Sequence, residues 1–242
     1  MIISKTNIIA NNDVTLITGT IADGSFPDML DPDFSKNLTS TSSTFSFVIE
    51  SIGFCEYIAL HGLAIPAGSV VTLSGTGVSE TYTFTRYTRN LVFYFAGGVT
   101  PGDTTITIAG VGSKTISYVQ AGETTSIDWG TNPGQALHYL ASQRQSRVTS
   151  NQDGLPVKRV QEIKVPRLRL TIRNALKSWA RGDLQAVREM YDTYGVLSQL
   201  DYENDSYPDE SCALFEMSDF SVKTHSQTTQ LVDVSLTFMV LA

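Results

Sequence analysis

The chain has 242 residues, 41% of them hydrophobic and 17% charged, a length and balance that bury a substantial core and argue against a disordered chain. Its net charge of −7 is segregated, with −6 on residues 1–143, +8 on residues 144–188 and −9 on residues 189–242. A basic block between acidic ends, with little aromatic interleaving, argues against a nucleic-acid surface because the flanking acids repel phosphate; it favours complementary faces that meet within a subunit or between identical subunits.

In chain order, Val14-Thr15-Leu16-Ile17 reads as a strand, Ala22 to Pro27 as turn chemistry, and Asp28 to Asp33 as a short helical turn or tight loop. Asp23, Asp28, Asp31 and Asp33 are acids of the kind that converge on calcium, but no full calcium-loop pattern is present, so they are expected to cap turns. Phe45 to Ile49 alternates as a half-buried strand. Glu56 to Gly62, an apolar run of strand length bounded by Gly53 and Gly62, is expected to be the central strand of a β-sandwich, because neighbouring strands satisfy its backbone groups. The Pro66-Ala67-Gly68 turn leads to Ser69–Leu73, and further strands follow at Thr81–Thr85, Leu91–Phe95, Thr104–Ala109 and Thr115–Val119. About eight short strands with glycine-rich turns imply a jelly roll.

Beyond Trp129 the composition changes. Gln143 to Gly154 is polar and reads as a connecting loop. Leu168 to Arg173 alternates as a strand with a basic outer face; Asp183 opens a helix that Gly195 stops. Strands are expected again at Val196–Leu200, Ala213–Met217 and Leu231–Leu241, with an acidic loop from Asp201 to Glu210. The expected class is therefore mainly β: a jelly-roll β-sandwich over residues 1–140, a linker or extended loop over 141–160, and a small α+β unit over 161–242 with one clear helix.

The order Leu30-Asp31-Pro32-Asp33, a Ser/Thr-rich run, a strand ending near Ile49, then Cys55-Glu56-Tyr57-Ile58-Ala59-Leu60-His61-Gly62 and Val70–Leu73 resembles the galactose-binding-like, discoidin-type jelly roll. In particular it is similar to the version in bacteriophage tail and other virion proteins, where a segment of the CDYIALAGHNL type leads into one of the AGATVTL type. Independently, Tyr207 to Leu214 and Val234 to Phe238 resemble the closing segments of phage tail-tip proteins. The sugar-binding members of the jelly-roll family expose aromatic and charged loop residues at one end. No such set is identifiable here, so no ligand site carries over.

Reactive chemistry has no pattern in these residues. His61, His138 and His225 lack partners at metal-ligand spacing, and no nucleophile elbow or nucleotide fingerprint occurs. Cys55 and Cys212 form neither a disulfide framework nor a zinc pattern and read as buried thiols. No cofactor, metal or catalytic residue is expected, nor a membrane span. Without an apolar leader core after Met1, the protein is expected to fold in the host cytoplasm.

The resemblance and the charge blocks together imply a virion structural protein of a tailed phage, in the distal tail or baseplate, assembling as a homo-oligomeric ring with other tail proteins. Arg167, Arg169, Arg173 and Arg181 are the expected contacts to acids such as Asp201, Glu203, Asp205, Asp209 and Glu210 of a neighbour. The alternatives are a carbohydrate-binding module for host attachment to a surface glycan, with Phe34 or Tyr87 as rim aromatics, and a head decoration or head–tail joining protein.

Overall fold

The structure is a computed structural model that describes residues 2–33, 35–85, 89–126, 144–150, 156–163, 167–200, 212–224 and 230–240. The first part contains β1 (Ile2–Ser4), β2 (Val14–Thr18), β3 (Ile21–Asp23), α1 (Phe26–Leu30), β4 (Leu38–Ser40), β5 (Thr44–Ile52), β6 (Cys55–His61), β7 (Val70–Gly75) and β8 (Val78–Thr83). There follow β9 (Asn90–Val99), β10 (Gly102–Ala109), β11 (Lys114–Ile116), β12 (Tyr118–Gly122) and β13 (Thr124–Ser126). The remainder holds β14 (Arg144–Ser150), β15 (Pro156–Ile163), β16 (Arg167–Leu176), α2 (Lys177–Arg181), α3 (Asp183–Tyr194), β17 (Leu197–Leu200), β18 (Cys212–Thr224) and β19 (Leu231–Val240).

A jelly-roll sandwich follows from the alternation in the first part. The sheet β2-β5-β10-β7-β8 and the sheet β12-β6-β9 are antiparallel throughout. Alternate residues of the inner strands enter one core: Phe45, Phe47 and Ile49 of β5 and Ile106 and Ile108 of β10 share a cluster with Ile58 and Leu60 of β6. A third sheet, β11-β4-β3, and α1 add Leu38, Ile116, Met29 and Leu30 to the same cluster. Burying a side chain the size of Phe47 contributes about 2 kcal/mol, so this shared core outweighs any one polar contact.

The apolar run expected at the centre is central, and for a stronger reason than sheet membership. β6 is buried on both faces: Ile58 and Leu60 point into the sandwich, while Tyr57 and Ala59 pack with Ile2, Val92 and Leu200. Gly62 ends the strand with φ +61°, and a Cβ there would lie 2.5 Å from the Ser117 Cβ, so both backbone and space call for glycine.

The second layer is a six-stranded sheet ordered β13-β1-β17-β18-β19-β16. Leu184, Val187 and Met190 of α3 cover one face of it, against Ile172, Val232, Val234, Leu236 and Phe238. In β1 and β17 the two faces separate cleanly. Ile3 and Leu197 join the helix-side core, whereas Ile2 and Leu200 join the cluster against β6. Helix α3 is tied down at both ends: Lys5 pairs with Asp183 at 2.9 Å, and Gly195, at φ 72°, donates its N–H to the Tyr191 carbonyl at 2.7 Å.

Four expectations change. The helical turn lies at Phe26–Leu30, earlier than Asp28–Asp33, because Pro27 suits a first turn and Met29 and Leu30 are the residues with a core to enter. Thr115–Val119 is divided between β11 and β12, which belong to different sheets, with Ser117 between them. The stretch expected as a loop over Gln143–Gly154 contains β14, paired with β15 in an antiparallel ribbon. The sequence of β14, RQSRVTS, carries no apolar alternation and so reads as a loop. Finally, the boundary near residue 140 is crossed by pairing, since β1 and β13 from the first part complete the sheet of the second.

Candidate functional site

Where the two layers meet, the sequence buries polar groups among apolar ones. His61 at the end of β6 is fully buried; its Nδ1 lies 3.0 Å from Asn90 Oδ1 and its Nε2 2.8 Å from the Ser198 hydroxyl of β17. The Ser198 hydroxyl also meets the carboxamide of Gln120, and the Ser198 N–H donates to Ser4 Oγ at 2.9 Å. Tyr118 stacks on His61 with ring centroids 6.0 Å apart and accepts a hydrogen bond from Asn7 Nδ2 at 3.1 Å. Apart from Asn7, which lies between β1 and β2, these residues come from β1, β6, β9, β12 and β17, so the network joins the sandwich to the second sheet.

The Ser198 hydroxyl donates to Gln120 Oε1, and the two ring nitrogens of His61 contact Asn90 Oδ1 and Ser198 Oγ. Burial lowers the His61 pKa to about 4, outweighing the Asn90 contact that acts the other way. The Ser198–His61–Asn90 sequence resembles that of a nucleophilic triad, but Ser198 and His61 have no exposed surface. A substrate carbonyl cannot approach Ser198 in this structure, and the row serves here as a polar seam.

A second feature is a cleft of about 550 Å³ at one end of the sandwich, between the 10–14 loop, α1 with the turn after it, and Tyr194 at the end of α3. Asn11 and Asp13 stand exposed at it, while Asn12 is committed to the Glu50 carbonyl at 2.7 Å. Phe26 lines the cleft and packs on Phe47 at 5.7 Å between ring centroids. The four carboxylates considered for calcium serve local turns. Asp23 accepts from Gly24 N–H, Asp28 from Ser25 Oγ, Asp31 from Lys36 Nζ, and Asp33 from Ser35, whose two bonds hold its pKa below the usual range. Among the described residues no group of three or more His, Cys, Asp or Glu side chains is placed to hold a metal ion.

The expected arginine contacts are only partly placed. Arg173 is exposed on β16 and lines a groove of about 280 Å³ with Asp219, Lys223 and Asp233 of the neighbouring strands, while Arg181 is exposed at the end of α2. Arg167 and Arg169 occupy register positions opposite Met239 and Thr237. Asp201, Glu203, Asp205, Asp209 and Glu210 lie outside the described residues, as do Phe34, Tyr87, His138 and His225. The acids that share the Arg173 groove, Asp219 and Asp233, carry no motif; the only signal is that Asp233 alternates with the buried Val232, Val234, Leu236 and Phe238 of β19, whereas a bulge after Met217 hides the same alternation for Asp219. Cys55 is buried, and burial pushes its thiol up to about 11, as the apolar context led one to expect.

Fold and site together define a mainly β protein in which a jelly-roll sandwich is seamed to an α+β layer. No protein-family model matches the sequence, and no curated protein matches it significantly. Among solved structures the chain is similar to SpGH29 (14% identity, TM-score 0.40, covering 50% of this chain and 28% of that one). It is also similar to a Streptococcus pneumoniae fucose binding module, SpX-3 (10% identity, TM-score 0.38, covering 51% and 99%). A third is a chitosan-binding module of a chitosanase/glucanase from Paenibacillus sp. IK-5 (15% identity, TM-score 0.38, covering 48% and 98%). Two of these neighbours are carbohydrate-binding modules; overlaps with TM-scores of 0.40 and below carry no argument about this chain.

Proposed function

We propose that this chain is a structural protein of a tailed-phage virion, a distal tail or baseplate component that works by assembling into a homo-oligomeric ring and not by catalysis. The observation that carries the reading is the β14–β15 ribbon, whose strands pair with each other and with no other described strand. A two-stranded ribbon is marginal in water without a third strand or a packed face, so a partner surface is the natural place for one. The resemblance of Cys55–Gly62 and Tyr207–Leu214 to phage tail segments supports the location, and the sealing of Ser198 and His61 supports a non-enzymatic role. The segregated charge supplies registration between copies. Replacing Arg167, Arg169, Arg173 and Arg181 together with Glu is expected to abolish oligomers measured by light scattering; unchanged assembly would reject charge matching at these positions.

The second reading, a glycan-binding module for host attachment, is favoured by the cleft at the end of the sandwich, whose size and amide, carboxylate and aromatic lining suit a sugar ring. A glycan array with the purified chain tests it. Reproducible hits that vanish in an Asn11→Ala, Asp13→Ala variant would establish this reading, and silence across the array would remove it.

A further inference from the structure

We infer that the β14–β15 ribbon of one copy adds to the open edge of β2 in the next copy, an interface that rests on the assembly reading above and gives it a surface. β2 is an edge strand, pairing only with β5 among the described strands. It carries no charged residue and no proline, the usual guards of an exposed edge. The register shifts between Leu16 and Thr18, so Ile17 is the bulged residue, and both Leu16 and Ile17 stand in solvent at 37% and 53% exposure. Such an edge offers unpaired backbone groups beside a small apolar surface, which is what strand addition requires.

The chain supplies an occupant of matching kind. β2 lacks a neighbouring strand on one side, and the β14–β15 ribbon has no sheet to join among the described strands. Charge selects the pairing. Residues 6–36, which contain β2, carry Asp13, Asp23, Asp28, Asp31 and Asp33 against Lys36, which pairs with Asp31 at 2.7 Å. Glu50 adds to that field beside β2, its carboxylate accepting a hydrogen bond from Thr15 Oγ1 at 2.9 Å. The ribbon strands carry Arg144, Arg147, Lys158 and Arg159 against Glu162 alone. A basic ribbon beside the acids that flank β2 is attractive, whereas ribbon on ribbon sets like charges together. The contact is therefore heterologous, running from one copy's ribbon to the next copy's edge, which is the kind that closes into rings.

The test uses two full-length variants that alter opposite sides of this contact. Leu16→Lys with Ile17→Lys guards the edge at exposed positions, and Arg144→Glu, Arg147→Glu, Lys158→Glu, Arg159→Glu reverses the ribbon. Circular dichroism and thermal melting serve as folding checks, and sedimentation velocity gives the mass. Each folded variant alone is expected to lose self-association by about tenfold or more, while an equimolar mixture recovers a dimer, since it retains one intact ribbon and one intact edge. Folded variants that assemble like the parent would overturn this interface while leaving the assembly reading in place. A parent chain that stays monomeric at every concentration would overturn both.

Discussion

His61 shows how a single residue makes the seam sensitive to acid. Its native pKa is about 4, while an exposed histidine in the unfolded chain has the ordinary 6.5. Above pH 6.5 neither state is protonated and the seam contributes fully. Between 6.5 and 4 only the unfolded chain takes up the proton, so stability falls as pH falls and the contribution is gone below pH 4. The difference corresponds to about 3 kcal/mol. Urea midpoints measured from pH 7 to pH 4 are expected to fall more steeply in the parent than in a His61→Gln variant, the difference isolating this residue from the carboxylates. Equal slopes would show that His61 titrates normally. Lys114 is a contrasting residue: it is buried, burial lowers its pKa, and its ammonium donates to the carbonyls of Ser42, Gly110 and Gly112 at 2.6, 2.8 and 3.0 Å. It holds the turn between β10 and β11 closed.

At the scale of elements, what the sequence makes legible depends on whether a strand buries one face or two. Strands with one buried face, such as Phe45–Ile49 and Thr104–Ala109, show period two and are found where expected. β6 buries both faces and shows as an unbroken apolar run, which marks it as central without saying that a second layer lies behind it. The seam was illegible for the same reason: Ser4, Ser198 and Gln120 are ordinary polar residues until three distant strands bring them together. Of the seam residues, His61 lies within the apolar run that the sequence marks as the central strand, and the structure places it at the end of that strand. β14 and β15 carry no core pattern and read as loop and mixed sequence. The proposed role of these strands in assembly predicts slow amide hydrogen exchange in the oligomer and fast exchange in a dilute monomer, because a ribbon without a third strand opens easily. Equal protection in the two states would mean that the ribbon is held by its own chain.

At the scale of the whole molecule, the layers form one continuous stack: a five-stranded sheet, a three-stranded sheet, a six-stranded sheet and a helical cover. β1 and β13 lace the last sheet to the sandwich, and Lys5 extends the lacing to α3. A body joined this way presents its edges and charged faces in fixed orientation, which is what a repeating subunit needs. Electron microscopy of the purified full-length chain in negative stain is the most direct measurement of that role. Closed rings of uniform diameter are predicted; a field of single-chain particles at every concentration imaged would contradict the account.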